Sequence, residues 1–555
     1  MTTSRKRNRK TPKNKGVVSI PKLLAVFAIV AVGCGLVYLA GTVGKQLAEG
    51  KFSLSRERFT IGRDTTWITE PVLPDGQVDY IAYFNGRGSQ NVRSEENLVT
   101  AIAKMTGSGF TTPASHAEFV RLLQADIPTD IRGSKLLEFS ESRRGVPDQL
   151  LRRAWTRDQN LEISQLIDGT ERELNEFCDA IRVRTKWYSP FVYEMDQQLP
   201  DLPRLMSVTV PQAERIRKLA DLLAARSLLR LGEGRIDDAI SDAMDLMRLG
   251  RAPLHSELSI ERLVGWSICS QASSLIVELI NNRNIQAEQL EELTLFVDQL
   301  PTIASFFDQT LESDRCMGLD AVCQLRLRGS NVLTQMSAIA RLESTVPVTT
   351  SQRIPNFDWD TALREINLYY DRLEKDVVSQ GPYQSRKVAW DRVSQDIPLT
   401  QSSVRGTNKP VEMGRLFLAM TSSHEALLKK DATIQAQQQL LKYAIAIRTL
   451  ALAKQPAPRS LRDVDGSLTP IDPFSDQDFK MFWEGNSAVR VYSVGENGRD
   501  ENGSIDNTND LGYRVVYQNV LPPVTPLNSP AKVIGPPPPI RVPASKAPNQ
   551  RNPGF

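Results

Sequence analysis

Histidine and cysteine are scarce in this chain: 555 residues carry three of the first and five of the second. That scarcity excludes a zinc-rich array and a disulfide-dense scaffold. The histidines, His116, His255 and His424, lie far apart. His424-Glu425-Ala426-Leu427-Leu428 opens like the H-E-x-x-H zinc helix, but Leu428 stands where the second histidine must be. The sequence also lacks a G-x-S-x-G elbow, a P-loop and a strand-turn-helix context for a dinucleotide site. Acids are plentiful, yet no pattern singles out the two carboxylates that a glycosidase uses. At the two ends of the chain acids are missing altogether. Residues 1–22 hold eight basic and no acidic side chains, and 519–555 hold four basic and none acidic. The rest carries 56 basic against 65 acidic residues, a net of −9. A mildly acidic body argues against a nucleic-acid-binding face.

What is present supports a folded core. Hydrophobic residues make up 41% and charged residues 24%, which excludes wholesale disorder and a collagen-like fibre. At about 150 residues per domain the length suits three or four globular units. The strongest local signal is an uncharged run of 22 residues, Leu23 to Gly44, behind the basic flank. At about 1.5 Å per residue it spans about 33 Å, enough for a hydrocarbon core of about 30 Å. The positive flank predicts that residues 1–22 stay cytoplasmic and that everything after Lys45 lies across the membrane. An uncleaved single-pass anchor fits the length. A cleaved signal peptide has a shorter apolar run and a small-residue site that is missing here. A lipoprotein signal would use Cys34, but the apolar run continues through Leu39. No second stretch of this length and apolarity is expected downstream.

The body reads as mainly α, with a helical ectodomain and a small C-terminal α+β module. The expected division is a basic segment at 1–22, the span at 23–44 and a juxtamembrane and mixed subdomain at 45–158. A helical domain at 159–412 follows, then a long helix plus β module at 413–518 and a Pro-rich, disordered tail at 519–555. The tail holds eleven of the 33 prolines. Ser94 is the expected cap of a helix through Leu98, Ile102 and Met105, and Val78–Asn85 reads as a strand or a helix start. The clearest helical pair has Leu219, Leu222, Leu223, Leu229 and Leu231 on one stripe. Ile236, Ala239, Ile240, Ala243, Leu246, Met247 and Leu249 form the next, with Gly232-Glu233-Gly234 as the break. Further helices are expected at 259–281, 287–300, 303–342, 359–378 and 413–453, with a loop at 347–355 and a long surface connection at 379–412. Phe479–Trp483, Val489–Val494 and Arg514–Tyr517 read as strands. Cys178, Cys269, Cys316 and Cys323 read as buried apolar side chains, with a Cys178–Cys269 bridge as the alternative. Cys316 and Cys323 lie about 10.5 Å apart along one helix, too far to bridge.

Three resemblances attach to particular residues. Thr69-Glu70-Pro71, Asp75-Gly76, Val78-Asp79-Tyr80, Asn85 and Glu95-Glu96-Asn97 resemble a recurrent segment of large exported proteins of planctomycete-type bacteria. That resemblance reaches over about 60–515 and implies one span, a long helical ectodomain and a short sheet module, without a mechanism. Leu231-Gly232, Asp237-Asp238-Ala239-Ile240 and Ala243 resemble the turn and second helix of a tetratricopeptide repeat. No second copy at the 34-residue period is evident, so a plain helical hairpin in a bundle stands beside a degenerate repeat array. Asp472-Pro473-Phe474 with Tyr492-Ser493-Val494-Gly495 and an acidic Gly-rich loop resembles the C-terminal calcium region of major type II secretion pseudopilins.

That loop is the one place with a chemical expectation. Asp500, Asn502, Asp506 and Asp510 are hard oxygen donors on a short connection between strands, the kind of set that holds Ca²⁺. The ion's role would be structural, and the alternative is a solvated polar turn without metal. Pseudopilins join their span almost directly to the sheet, whereas over 400 residues intervene here, and Pro21 stands where a prepilin has its glutamate. The functional expectation is a membrane-anchored interaction or scaffold protein of the bacterial envelope, holding the bilayer through 23–44 and a protein partner through its helical grooves. The alternative is an envelope hydrolase with an unrecognised acidic site. Reporter fusions placed after Lys45 are expected to behave as exported; cytoplasmic behaviour there overturns the orientation.

Overall fold

The computed structural model describes residues 59–128, 134–141, 145–194, 203–328, 358–395, 424–505 and 510–517, together with Val332. The expected span at 23–44, the loop at 347–355 and the Pro-rich tail lie outside these residues. Thirteen α-helices and five short strands are formed among them. The helices are α1 Tyr80–Gly88, α2 Leu98–Thr106, α3 Pro113–Leu123, α4 Lys135–Glu141, α5 Leu161–Val183, α6 Pro211–Gly232 and α7 Ile236–Arg251. They continue as α8 Ser259–Ile280, α9 Ala287–Gln299, α10 Phe306–Arg328, α11 Trp359–Arg372, α12 Tyr383–Gln395 and α13 His424–Leu452. Strands β1 Val192–Tyr193 and β2 Val208–Thr209 form one antiparallel pair. Strands β3 Lys480–Glu484, β4 Ala488–Ser493 and β5 Leu511–Val516 form an antiparallel sheet in that order.

The helical pair α6–α7 follows the apolar pattern directly. Leu219, Leu222, Leu223, Leu229, Ala239, Ile240, Ala243, Leu246 and Leu249 are all buried. The pair is also polar inside. Arg226, 1% exposed, donates from Nη2 to Asp242 Oδ1 at 2.6 Å and from Nε to Oδ2 at 3.1 Å. Arg230 adds a third bond to Asp242 Oδ2 at 2.9 Å, and Arg226 Nη2 reaches Cys178 Sγ on α5 at 3.3 Å. A buried ion pair of this kind holds because each remaining charge is hydrogen-bonded. Gly232 ends α6 for a steric reason: a Cβ there would meet the Trp155 carbonyl oxygen at 2.0 Å.

Helix α8 crosses α7 at close range, since a Cβ on Gly265 would stand 2.6 Å from the Gly250 carbonyl oxygen. This helix is long and apolar without matching the uncharged 23–44 run, since it carries Glu261, Arg262 and Glu278. By length and composition Ser259–Ile280 is apolar enough to cross a membrane, with 56% of its most apolar window buried inside the body. Helix α13 packs on α8, α9, α10 and α12 and on β5. Its Asp431 caps α10 from outside: the amides of Phe306 and Phe307 donate to its two carboxylate oxygens at 2.5 and 3.1 Å. One hydrophobic core runs from Ile68 to Val515, across the compositional boundaries at 158 and 412.

Several expectations shift. The cap of α2 is Asn97, whose side chain accepts from Val99, and not Ser94. Val78–Asn85 resolves into the start of α1, with Asp79 as its cap. Part of the supposed surface connection at 379–412 is helix α12, because Tyr383, Ala389 and Val393 supply an apolar side that its Ser, Gln and Arg content obscures. The cysteines 178, 269, 316 and 323 are buried and free, so the alternative Cys178–Cys269 bridge is not formed. Leu229 and Ile240 are both 0% exposed. Leu229→Ala is expected to cost about 2–5 kcal/mol in urea unfolding; a change below about 0.5 kcal/mol would place the residue at the surface.

Candidate functional site

Among the described residues two places bring polar and charged side chains together as candidate sites. The first is a pocket of about 350 Å³ between the end of α1, the extended segment 185–191 and the turn that follows α7. Its wall is fixed by asparagines. Asn97 Nδ2 donates to the Tyr188 carbonyl at 2.8 Å, and the Tyr188 amide donates back to Asn97 Oδ1 at 3.0 Å. Asn85 does the same for Phe191, at 2.8 and 2.7 Å, and accepts the Tyr188 hydroxyl at 3.1 Å. The amide and carbonyl of Lys186 bond the backbone of Glu96 and Leu98. An extended strip is thus held inside a helical body without a neighbouring strand along its whole length.

The pocket lining includes Phe84, Trp187, Tyr188 and Phe191, all under 7% exposed. Arg87 forms its polar end. The guanidinium donates from Nε to Glu257 Oε1 at 2.9 Å, pairs with Glu312 through Nη1, and lies over the Tyr83 and Phe84 rings at 5.4 and 5.1 Å. Glu257 is the only acid in the lining, and it is committed to Arg87. Lys186 and His255 are exposed at the rim. Although the residue is exposed, the protein packed around its ring strips away part of the water and lowers the His255 pKa below the usual imidazole value, and the positive charges of Arg251, Arg262 and Lys186 lower it further. Arg262 is 5% exposed and donates from Nε to the Ser256 carbonyl, but its Nη1 has no acceptor. Arg251 Nη1 is likewise buried without one.

The second place is the loop 494–510. Gly503 and Asn502 take left-handed backbone, at φ 68° and 57°, which turns the chain back on itself. Asp500 Oδ1 accepts the Tyr492 hydroxyl at 2.8 Å and the Asn502 amide at 2.9 Å. Asp510 Oδ2 accepts the Gly503 amide at 3.0 Å. Asp510 Oδ1 and Glu501 Oε2 are buried without a donor. Burial, then the neighbouring Glu501 carboxylate, pushes the Asp510 carboxyl up to about 6. Two facing carboxylates need a proton or a cation between them. Asp506 lies outside the described residues, so the expected quartet is seen at Asp500, Asn502 and Asp510 only. Among the described residues no group of three or more His, Cys, Asp or Glu is placed to hold a metal. The donors are hard oxygens of the type Ca²⁺ takes, with Glu501 and Asp510 available and Asp500 partly spent on Tyr492.

The base of this module explains two of the quoted motifs. Asp472 accepts from the Phe474 amide at 2.9 Å, from Ser493 Oγ at 2.8 Å and from the Val494 amide at 3.1 Å. Asp472-Pro473-Phe474 and Tyr492–Gly495 are therefore one hydrogen-bonded unit. His424, by contrast, is sealed in the core. Tyr369 Oη lies 3.0 Å from its Nδ1 and Asp314 Oδ2 3.7 Å from its Nε2. Burial pushes its pKa down to about 3 and that of Asp314 up to about 7. Neither lines the pocket.

Sequence reasoning missed the pocket. The signal was the run Trp187-Tyr188-Ser189-Pro190-Phe191, too aromatic and Pro-broken for the helices around it. Glu501 carried no signal beyond its acidic neighbours. Compared with protein family models, known proteins and solved structures, the chain matches none.

The Asp510 shift has a testable sign. A carboxyl whose pKa is higher in the fold than in the unfolded chain, near 3.9, adds stability below that value and loses it as pH rises through about 6. In chelator, hydrogen-exchange protection factors of β4 and β5 are expected to fall between pH 4 and pH 6.5. Asp510→Asn is expected to flatten that fall locally. The raised carboxyls of Asp314, Asp320 and Asp431 give the whole chain a slope of the same sign. An unchanged local slope in Asp510→Asn would remove the carboxyl pair as its source.

Proposed function

We propose that this chain is a non-enzymatic binding and scaffold protein of the bacterial envelope. It is anchored through 23–44 with residues 1–22 cytoplasmic and the body exported, and it holds another polypeptide against its helical surface. The observation that carries this reading is the pocket: a preformed, asparagine-fixed wall of aromatics whose only acid is already neutralised by Arg87. A hydrolase reading needs converging free carboxylates, and this lining offers a single, paired one. The resemblances carried by 69–97 and by 231–243, to planctomycete-type exported proteins and to a helical repeat, agree with a helical ectodomain.

Calcium belongs to the same proposal as a structural ion. Glu501 and Asp510, with Asp500, Asn502 and Asp506, would hold it, and it would offset the repulsion between the carboxylates where a proton otherwise must. Loop carbonyls have to complete a shell of about 6–8 oxygens. Millimolar Ca²⁺ at pH 7 should then restore the protection that β4 and β5 lose on raising the pH, and Asp506→Ala should weaken the effect.

The functional test is site-directed photocrosslinking in native membranes. A crosslinker at Val92, in the pocket lining, is expected to give a discrete adduct with one polypeptide. The same group at the exposed Leu295 on α9 is the control. Equal labelling from both positions, or none from Val92, would defeat the binding reading.

A further inference from the structure

We propose that the pocket beside α1 recognises a carboxylate carried on an apolar or aromatic stem, a ligand class that rests on the binding reading above. Its volume, about 350 Å³, is at the small end of ligand sites and suits one aromatic group and its polar head. The apolar part has Phe84, Trp187, Tyr188 and Phe191 to lie against. The head meets a rim that is positive and unsatisfied. Among the described residues Lys186 makes no ion pair, and the lining's one carboxylate, Glu257, is bound to Arg87. Behind the rim the Nη1 atoms of Arg251 and Arg262 are buried without acceptors, and the carboxylates of Glu261 and Asp314 lie near Arg262.

The rim also says which anion. Phosphate is best held by the planar fork of arginine, which bonds two oxygens at once. Here the Arg87 fork is taken by Glu257 and Glu312. The one cation left at the opening is the Lys186 ammonium, with the His255 imidazole, its pKa held below the usual value, beside it, and a single ammonium suits a monoanion. The groups that face His255 are Lys186, Arg251 and Arg262, and around Arg262 lie Arg87, Glu257 and the buried Glu261 and Asp314. A bound carboxylate opposes the positive field on that imidazole, so occupancy raises its pKa and affinity grows as pH falls.

Such a carboxylate has two sources, the C-terminus of a polypeptide ending in an apolar residue and a free small acid. With only three histidines in the chain, His255 is a resolvable reporter. Full-length protein in detergent, labelled at histidine, is titrated by NMR with 3-phenylpropionate, with its neutral amide and with inorganic phosphate. The peptide Ala-Ala-Phe, as free acid and as amide, is the second arm. The acids are expected to shift the His255 resonance and raise its pKa, and the amides to leave it unmoved. Lys186→Gln, an exposed change, should weaken binding about tenfold, and His255→Gln should remove the pH dependence. The peptide binding tighter than 3-phenylpropionate assigns the site to a polypeptide end, and the reverse assigns it to a small acid. Equal effects of acid and amide, competition by phosphate, or an unaltered Lys186→Gln protein would overturn the proposal. A polypeptide crosslinked at Val92 whose capture is indifferent to Lys186→Gln would leave the scaffold reading standing while this one falls.

Discussion

A backbone that leaves helical conformation inside a helical body has to find new partners for its amides and carbonyls, because burying them unpaired costs too much. In this protein asparagine side chains answer that constraint. An amide side chain offers one donor and one acceptor in nearly the arrangement of a neighbouring strand. Asn85 and Asn97 each clasp one residue of the segment 185–191 through both groups. Asn281, just past the end of α8, does the same to the edge strand β5. Its Nδ2 donates to the Arg514 carbonyl and its Oδ1 accepts the Val516 amide, both at 2.8 Å. The pocket wall and the docking of the C-terminal sheet therefore depend on the same device. It explains how a mostly helical chain carries two extended pieces rigidly, and why the sheet is welded to α8 and α13 and does not hang from a linker.

This device also marks where the sequence was readable. Apolar spacing in α6 and α7 follows from the helical period, since a stripe at three and four residues has only one way to be buried. The alternation in β3 and β4 follows equally from the strand period. Asn85 and Asn97 stood in the text as parts of a resemblance, but their role was invisible, because their partners are about 90 to 106 positions away. The same distance hid the true cap of α2. Ser94 and Asn97 are both good capping residues, and only the backbone of 186–188, joined to Asn97, selects the second. Helix α12 was lost for another reason. Its few apolar residues sit among Ser, Gln and Arg, and what stabilises it is packing against the π-helical stretch Leu373–Val378 and α13, which no local pattern reports.

Charge follows a similar division. Most buried ionic groups are matched at short range, as Arg226 and Asp242 are, or are held towards neutrality by burial, as Asp314 and His424 are. Local sequence foresaw none of these pairings, since Arg226 and Asp242 look like ordinary helix-surface residues until α5, α6 and α7 close around them. The acidic loop was the exception. Clustered Asp, Asn and Gly between two strands is a local feature, and the turn it makes is local too.

Against that background the two candidate places differ in sign. At the loop, Glu501 and Asp510 bring two carboxylates together, and among the described residues neither makes an ion pair. At the pocket, Lys186 makes no ion pair among the described residues, while the buried carboxylates of Glu261 and Asp314 face Arg262 behind it. An unpaired charge raises the energy of the unliganded state, so each of these places gains from a ligand of opposite sign. On the proposals above, the loop would take a cation and the pocket an anion. The rigid asparagine clasps matter to that argument. A wall that is pinned at Tyr188 and Phe191 keeps the pocket open beside the exposed Lys186.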